Sequence, residues 1–168
     1  MKSSYTAYLS LGSNLSDKLQ NLKNAVTAIE KEIGVVSKIS SVYETPALGF
    51  NGNEFYNICI EVKTQFNSLT LLNEVLALET KLGRQRNANN TYQNRVIDID
   101  VILYENEIVS TEKLTIPHPR ATERNFVLYP LNEIASNSIF PDKKLTVKKT
   151  LKYCLDDSRI LKSRETIR

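Results

Sequence analysis

The chain has 168 residues, close to the usual size of a single domain and enough to bury roughly two-thirds of its unfolded surface around one core, which argues against a multidomain machine. Its 41% hydrophobic and 24% charged residues argue against wholesale disorder, and no apolar run is long enough to span a bilayer. The net charge is +3, but residues 141–168 carry nine Lys/Arg against four Asp/Glu, a local +5 that leaves the rest at −2, so the basic excess belongs to a C-terminal extension that reads as a solvated face. Cys59, Cys154 and the single His118 are too few for a disulfide framework or a structural zinc site, so any metal is expected to be hard and oxygen-bound. The opening Met1-Lys-Ser-Ser-Tyr5 lacks the apolar stretch of a signal peptide, and a cytoplasmic location is the expectation.

Tyr5 to Leu11 is rich in β-formers and ends on Gly12-Ser13-Asn14, a turn cluster suited to opening a helix. From Asp17 to Ile33, Leu19, Leu22, Val26, Ile29 and Ile33 recur every three or four residues, predicting an amphipathic helix with Gly34 as its stop. Val35 to Tyr43 is rich in β-branched residues and predicts a second strand, closed by Thr45-Pro46-Ala47-Leu48-Gly49 and an Asn-Gly-Asn turn. Phe55 to Lys63 predicts a third. Leu69, Leu72, Val75, Leu76 and Leu82 then predict a second helix over 68–82, capped by Ser68 and closed by Gly83.

Arg84 to Asn94 has one aromatic and little else to bury; it predicts a long exposed loop, and such loops inside small domains are often functional. Val96 to Tyr104 alternates sharply as a fourth strand, and Glu105-Asn106-Glu107 turns into a short fifth. Thr122–Ser136 and Thr146–Leu155 predict further helices. The succession β-α-β-β-α-β matches the ferredoxin-like split βαβ unit, an α+β antiparallel sheet covered on one face by two helices.

Val96-Ile-Asp98-Ile-Asp100-Val-Ile-Leu103 is the most informative segment. In a strand, Ile97, Ile99, Val101 and Leu103 enter the core while Asp98 and Asp100 project together from the other face, with Cα atoms about 6–7 Å apart. Two parallel carboxylates repel, so either both face water or a divalent cation neutralises them, and magnesium suits a few carboxylates, waters and phosphate oxygens. Arg84, Arg86 and Arg95 flank this strand and match phosphate bidentately, although each alone also reads as a surface arginine. No P-loop is present, since none of the five glycines precedes a lysine. His118, held between two prolines with Arg120 and Arg124 following, reads either as a structural histidine or as a phosphate contact.

Gly12-Ser-Asn-Leu15, Tyr43-Glu-Thr45-Pro46-Ala-Leu48-Gly49, Phe55-Tyr-Asn57, Gly83-Arg-Gln-Arg86, Arg95-Val-Ile-Asp98-Ile-Asp100, and Pro117-His-Pro-Arg120 through Arg124-Asn-Phe126 occur in order. Together they resemble the 6-hydroxymethyl-7,8-dihydropterin pyrophosphokinases of the folate pathway, over about residues 5–140. The resemblance implies a ferredoxin-like αβα fold; length and pattern lead to the expectation of a single domain over 1–168 with extra C-terminal helices and a basic extension over 141–168. The resemblance also implies transfer of the β,γ-pyrophosphoryl group of ATP to the pterin hydroxymethyl with release of AMP, and two magnesium ions; a monomer acting without nucleic acid or membrane is a separate expectation.

Carried over position by position, Asp98 and Asp100 resemble the metal-holding carboxylates, and Arg84 and Arg95 the arginines that stabilise the transferring group. Glu79, Arg86, Tyr92, Lys113, Thr115, His118 and Arg124 resemble ATP-side positions. Phe55 and Phe126 resemble the rings that sandwich the pterin, with Asn57, Thr45, Pro46 and Leu48 at its hydrogen-bonding edge. The chain departs from the family at Tyr92, a position often held by Trp, and at Thr91, basic in some members. The competing expectation is a ferredoxin-like small-molecule or RNA-binding module without catalysis; an RNA module needs aromatics presented on the central strands.

Overall fold

A computed structural model describes residues 4–89 and 91–168; the reading of the first three residues as part of a leaderless start lies outside them, as does Asn90 of the long loop. In chain order the elements are β1 (Tyr5–Ser13), α1 (Lys18–Glu32), β2 (Gly34–Ile39), β3 (Tyr43–Thr45), β4 (Phe55–Thr64), α2 (Ser68–Lys81) and β5 (Asp98–Tyr104). There follow β6 (Val109–Ser110), β7 (Thr115–Ile116), a 3-10 turn (Ala121–Glu123), α3 (Asn125–Ala135), β8 (Ile139–Phe140), β9 (Leu145–Thr146), α4 (Val147–Tyr153) and β10 (Leu161–Lys162). The main sheet runs β10-β3-β4-β1-β5, entirely antiparallel, with β2 paired to the other half of the β4 edge that carries β3.

Period-2 alternation gives this sheet two different faces. Leu9, Leu11, Ile58, Ile60, Val62, Ile99 and Val101 form one core with Leu22, Ile29, Leu71 and Val75 from α1 and α2. On the opposite face Cys59, Ile102 and Leu103 pack against Val127, Leu128, Leu131 and Val147 of α3 and α4. The sheet is therefore covered on both sides, and the open, aromatic-bearing face that an RNA-binding reading needs is not formed by the described residues. No helix among them is long and apolar enough to cross a membrane.

Several local expectations change. The single strand expected over 35–43 is split, because the Ser40 hydroxyl accepts from Cys59 N at 2.9 Å where a backbone carbonyl would continue the ladder. Gly34 is the first residue of β2 and serves close approach, since a Cβ there would lie 2.2 Å from the Lys63 carbonyl oxygen. The cap of α2 is Asn67, whose side chain accepts from Thr70 N at 2.9 Å, one residue before the expected Ser68. Gly12 and Ser13 extend β1 instead of turning. The short fifth strand, β6, pairs with β7 in a separate hairpin.

Leu103 leaves the face of Ile99 and Val101. Against β1, Leu9 faces Val101 but Tyr8 faces Leu103, so Ile102 is an extra residue and the alternation slips by one. Ile102 and Leu103 therefore both enter the α3 core while Tyr104 returns to the α1–α2 core. The bulge lies beyond Asp100 and leaves the two carboxylates on one face.

Candidate active site

The α3-facing side of the sheet becomes polar toward the end where α3 begins. Register places Tyr43 beside Asn57, Asn57 beside Gly12, and Gly12 beside Asp98, so one row crosses four strands. Gly12 leaves a gap in that row: a Cβ there would sit 3.1 Å from Asn57 Oδ1 and 3.4 Å from the Phe55 ring. Asn57 is buried and donates through Nδ2 to Thr45 Oγ1 at 2.8 Å. Its Oδ1 makes no hydrogen bond among the described residues. Thr45, Pro46, Leu48, Phe55, Asn57 and Phe126 line a single cleft of about 540 Å³, whose floor also includes Arg95, Asp98, Asp100 and Arg124.

Asp98 and Asp100 share this face, as the alternation predicts. Asp98 accepts from Arg84 through Oδ1 and from Arg95 Nη1 through Oδ2 at 2.9 Å. Asp100 has no such arginine fork, and burial, followed by repulsion from Asp98 and Glu79, pushes its carboxyl up to about 7 against the pull of Arg124 and Arg84. His118 Nε2 lies 4.0 Å from Asp100 Oδ1. Its Nδ1 accepts from Arg120 N at 3.2 Å, which puts the proton of the neutral ring on Nε2. Burial and the charges of Arg124 and Arg120 lower the His118 pKa, so the ring is neutral at pH 7.

Arg84 is fixed from behind. Glu79, 1% exposed, accepts from Arg84 Nη1 at 2.6 Å, from Arg86 Nη2, and from Ile99 N at 2.7 Å, so both its oxygens are engaged by the protein. At the other end of the loop, Asn14 joins three segments: its Nδ2 donates to Asn53 O at 3.0 Å and Asn94 Oδ1 at 2.8 Å, and its Oδ1 accepts from Arg95 N at 2.7 Å. Between these anchors the loop bonds chiefly to itself, Asn87 to Thr91 and Gln93 to the Gln85 carbonyl. A second cavity of about 750 Å³ is lined by this loop, including Arg84 and Arg86, and shares Arg95 and Tyr92 with the first. A cleft lined by Phe55, Phe126, Asp98 and Asp100 thus shares Tyr92 and Arg95 with a neighbouring basic cavity.

The sequence as a whole has relatives among known proteins. The model of the family described as 7,8-dihydro-6-hydroxymethylpterin-pyrophosphokinase matches residues 8–136. The chain belongs to this family. It is similar to the 2-amino-4-hydroxy-6-hydroxymethyldihydropteridine pyrophosphokinase of Bacillus subtilis, 41% identical over 130 residues that cover 76% of this chain and 77% of the relative. The Aquifex aeolicus pyrophosphokinase is 39% identical over 137 residues, 81% of this chain and 84% of that one. Among solved structures, the Plasmodium falciparum HPPK-DHPS wild type with SDX-DHP aligns with a TM-score of 0.74 at 16% identity, covering 90% of this chain. The chain spans 44% of that longer protein, and the likeness speaks to the fold.

Within this pyrophosphokinase framework not every expected residue reaches the cleft. Lys113 and Thr115 are exposed on the β6–β7 hairpin and line neither cavity. Tyr92 enters both cavities; its ring stacks on Phe50 at 6.4 Å and 9°, and its hydroxyl accepts from Arg120 Nη1 at 2.9 Å. Phe50, Gly12 and Asn14 are residues that the chemical reading passed over. Gly12 and Asn14 stand in a short motif whose plain reading is a turn, and Phe50 sits in a loop, where a lone aromatic gives no periodic signal.

Proposed function

We propose that this pterin pyrophosphokinase of folate biosynthesis transfers the β,γ-pyrophosphoryl group of ATP to the hydroxymethyl of 6-hydroxymethyl-7,8-dihydropterin, releasing AMP, in a magnesium-dependent reaction in the cytoplasm. What supports the reading is one cleft lined by Phe55, Phe126, Asp98 and Asp100, with Arg84 and Arg95 paired to Asp98. Phe55 and Phe126 take the two faces of the pterin. The Asn57 oxygen and the chain from Thr45 to Leu48 meet its hydrogen-bonding edge.

Asp98 and Asp100 suit magnesium, being two hard carboxylates on one strand face beside a cavity able to take phosphate. Asp98 and Asp100 would hold two magnesium ions, which would supply charge neutralisation for phosphoryl transfer. Arg84 and Arg95 border the second cavity as well as Asp98, so the same guanidinium groups serve phosphate oxygens as charge develops there. Arg86, His118 and Arg124 bind ATP; the Arg124 Nε is buried with no hydrogen-bond partner among the described residues, which suits a phosphate oxygen. Glu79 acts through Arg84 and Arg86, holding them in place. Incubation with ATP, magnesium and the reduced hydroxymethylpterin should yield AMP and pterin pyrophosphate one for one; ADP as the nucleotide product would overturn the assignment.

A further inference from the structure

The segment after α4 lies outside residues 8–136, the part matched to the family, yet it contacts residues adjoining those that line the cleft. Helix α3 begins at Asn125, and its N-cap, Arg124, makes no side-chain capping bond. The cap comes from the tail: Asp156 Oδ2 accepts from Asn125 N at 2.8 Å, while Asn125 Nδ2 donates to the Ser158 carbonyl at 2.7 Å. Asp156 Oδ1 accepts from Ser158 N at 3.0 Å and closes this small loop. A carboxylate at the first turn of a helix meets free N–H groups and the positive end of the helix dipole. Hydrogen bonds from Ser158 and Asn125, with the charge of Arg124, outweigh burial and keep the Asp156 pKa low.

The tail then crosses to the other wall. Arg159 pairs with Glu54, which immediately precedes Phe55, and β10 pairs with Tyr43 and Glu44, next to Thr45. Ser163 N donates to Val42 O at 2.8 Å. One stretch of about ten residues therefore ties the start of α3, which bears Phe126, to the strands that bear Phe55 and Thr45.

We propose that residues 154–163 are a brace setting the spacing of the ring slot, and that Asp156 is a positioning residue for Phe126 and hence for pterin affinity. This rests on the assignment of the cleft to pterin, so Phe126→Ala serves as the reference. Steady-state kinetics and melting temperature are compared for the full-length wild type, Phe126→Ala, Asp156→Ala, Asp156→Asn and Arg168→Ala, the last removing a pair with Glu30 on distant α1. Asp156→Ala should raise KM for the pterin about fivefold, the scale of a lost helix cap, with KM for ATP within about twofold. Asp156→Asn, which keeps one acceptor oxygen, should recover most of that loss and carries the test if the alanine variant does not fold. Arg168→Ala should change neither constant.

A merely structural role would lower the active fraction and leave both KM values alone. That result, or a parallel rise in both, would overturn the brace while a large pterin defect in Phe126→Ala kept the cleft assignment. If Phe126→Ala itself spared the pterin KM, the underlying assignment would be the one to fall.

Discussion

Asp98 and Asp100 differ although they sit two residues apart on one strand. Asp98 is bonded to two arginines, whereas Asp100 faces a neutral imidazole and a carboxylate neighbour. Replacing either by Asn removes charge and no apolar packing. Asp98→Asn and Asp100→Asn should each reduce kcat by orders of magnitude with the fold retained, checked by turnover alongside circular dichroism; near-normal turnover in either would remove its role. Arg84 is a different case. Its removal takes one counter-charge from buried Glu79 and one from Asp98, leaving them Arg86 and Arg95, so Arg84→Ala should cost stability as well as turnover, on the order of 1–2 kcal/mol in denaturant unfolding. Arg86 is half exposed, and its alanine variant should unfold near the wild-type midpoint.

At the scale of elements, the alternation of β5 and the stripes of α1 and α2 are legible because burial on one face repeats with a period that the sequence must obey. The breaks are not legible, because each depends on a partner far away in the chain. Ser40 interrupts a strand through Cys59, the Ile102 bulge exists only against β1, and Gly34 answers to the Lys63 carbonyl. The candidate site shows the same division: Asp98, Asp100 and the arginines announce themselves by charge, whereas Gly12 matters for what it leaves out. The loop from 84 to 95 was expected to have little to hold it, yet its ends are anchored by Glu79 and Asn14 while its middle bonds to itself. Hydrogen exchange should accordingly be fast across 86–93 in the free protein and slow on adding magnesium, a non-hydrolysable ATP analogue and the pterin. Equal exchange in both states would show that the substrates do not order this loop.

Across the whole molecule, the two cores are joined through the sheet, and one buried charge lies where β1, β2 and β4 meet. Burial alone would raise the Glu61 pKa, but Ser37, Tyr8, Lys38 and Lys63 overcome it and hold the carboxyl at about 2. A carboxylate held below its unfolded value of 4.5 stabilises the fold above that pH, and the contribution fades as pH falls toward 2. Glu61→Gln should therefore be less stable at pH 7, on the order of 3 kcal/mol, with the gap narrowing steadily below pH 4.5. Melting curves from pH 7 to pH 3 test this, and a gap independent of pH would refute it.

The pairing of β10 with β3 also bears on how the protein is made. Strand β5 must find β1 across about ninety residues, and β10 must find β3 across more than a hundred, so the sheet cannot close locally as it is synthesised. Until the last of its six strands has left the ribosome, the outer edge of β3 offers unpaired backbone to any neighbouring chain. A nascent chain that has reached α4 but not β10 thus still carries an open edge at β3, so a product of stalled translation there would hold every proposed catalytic residue and yet be able to accept a strand from a neighbour.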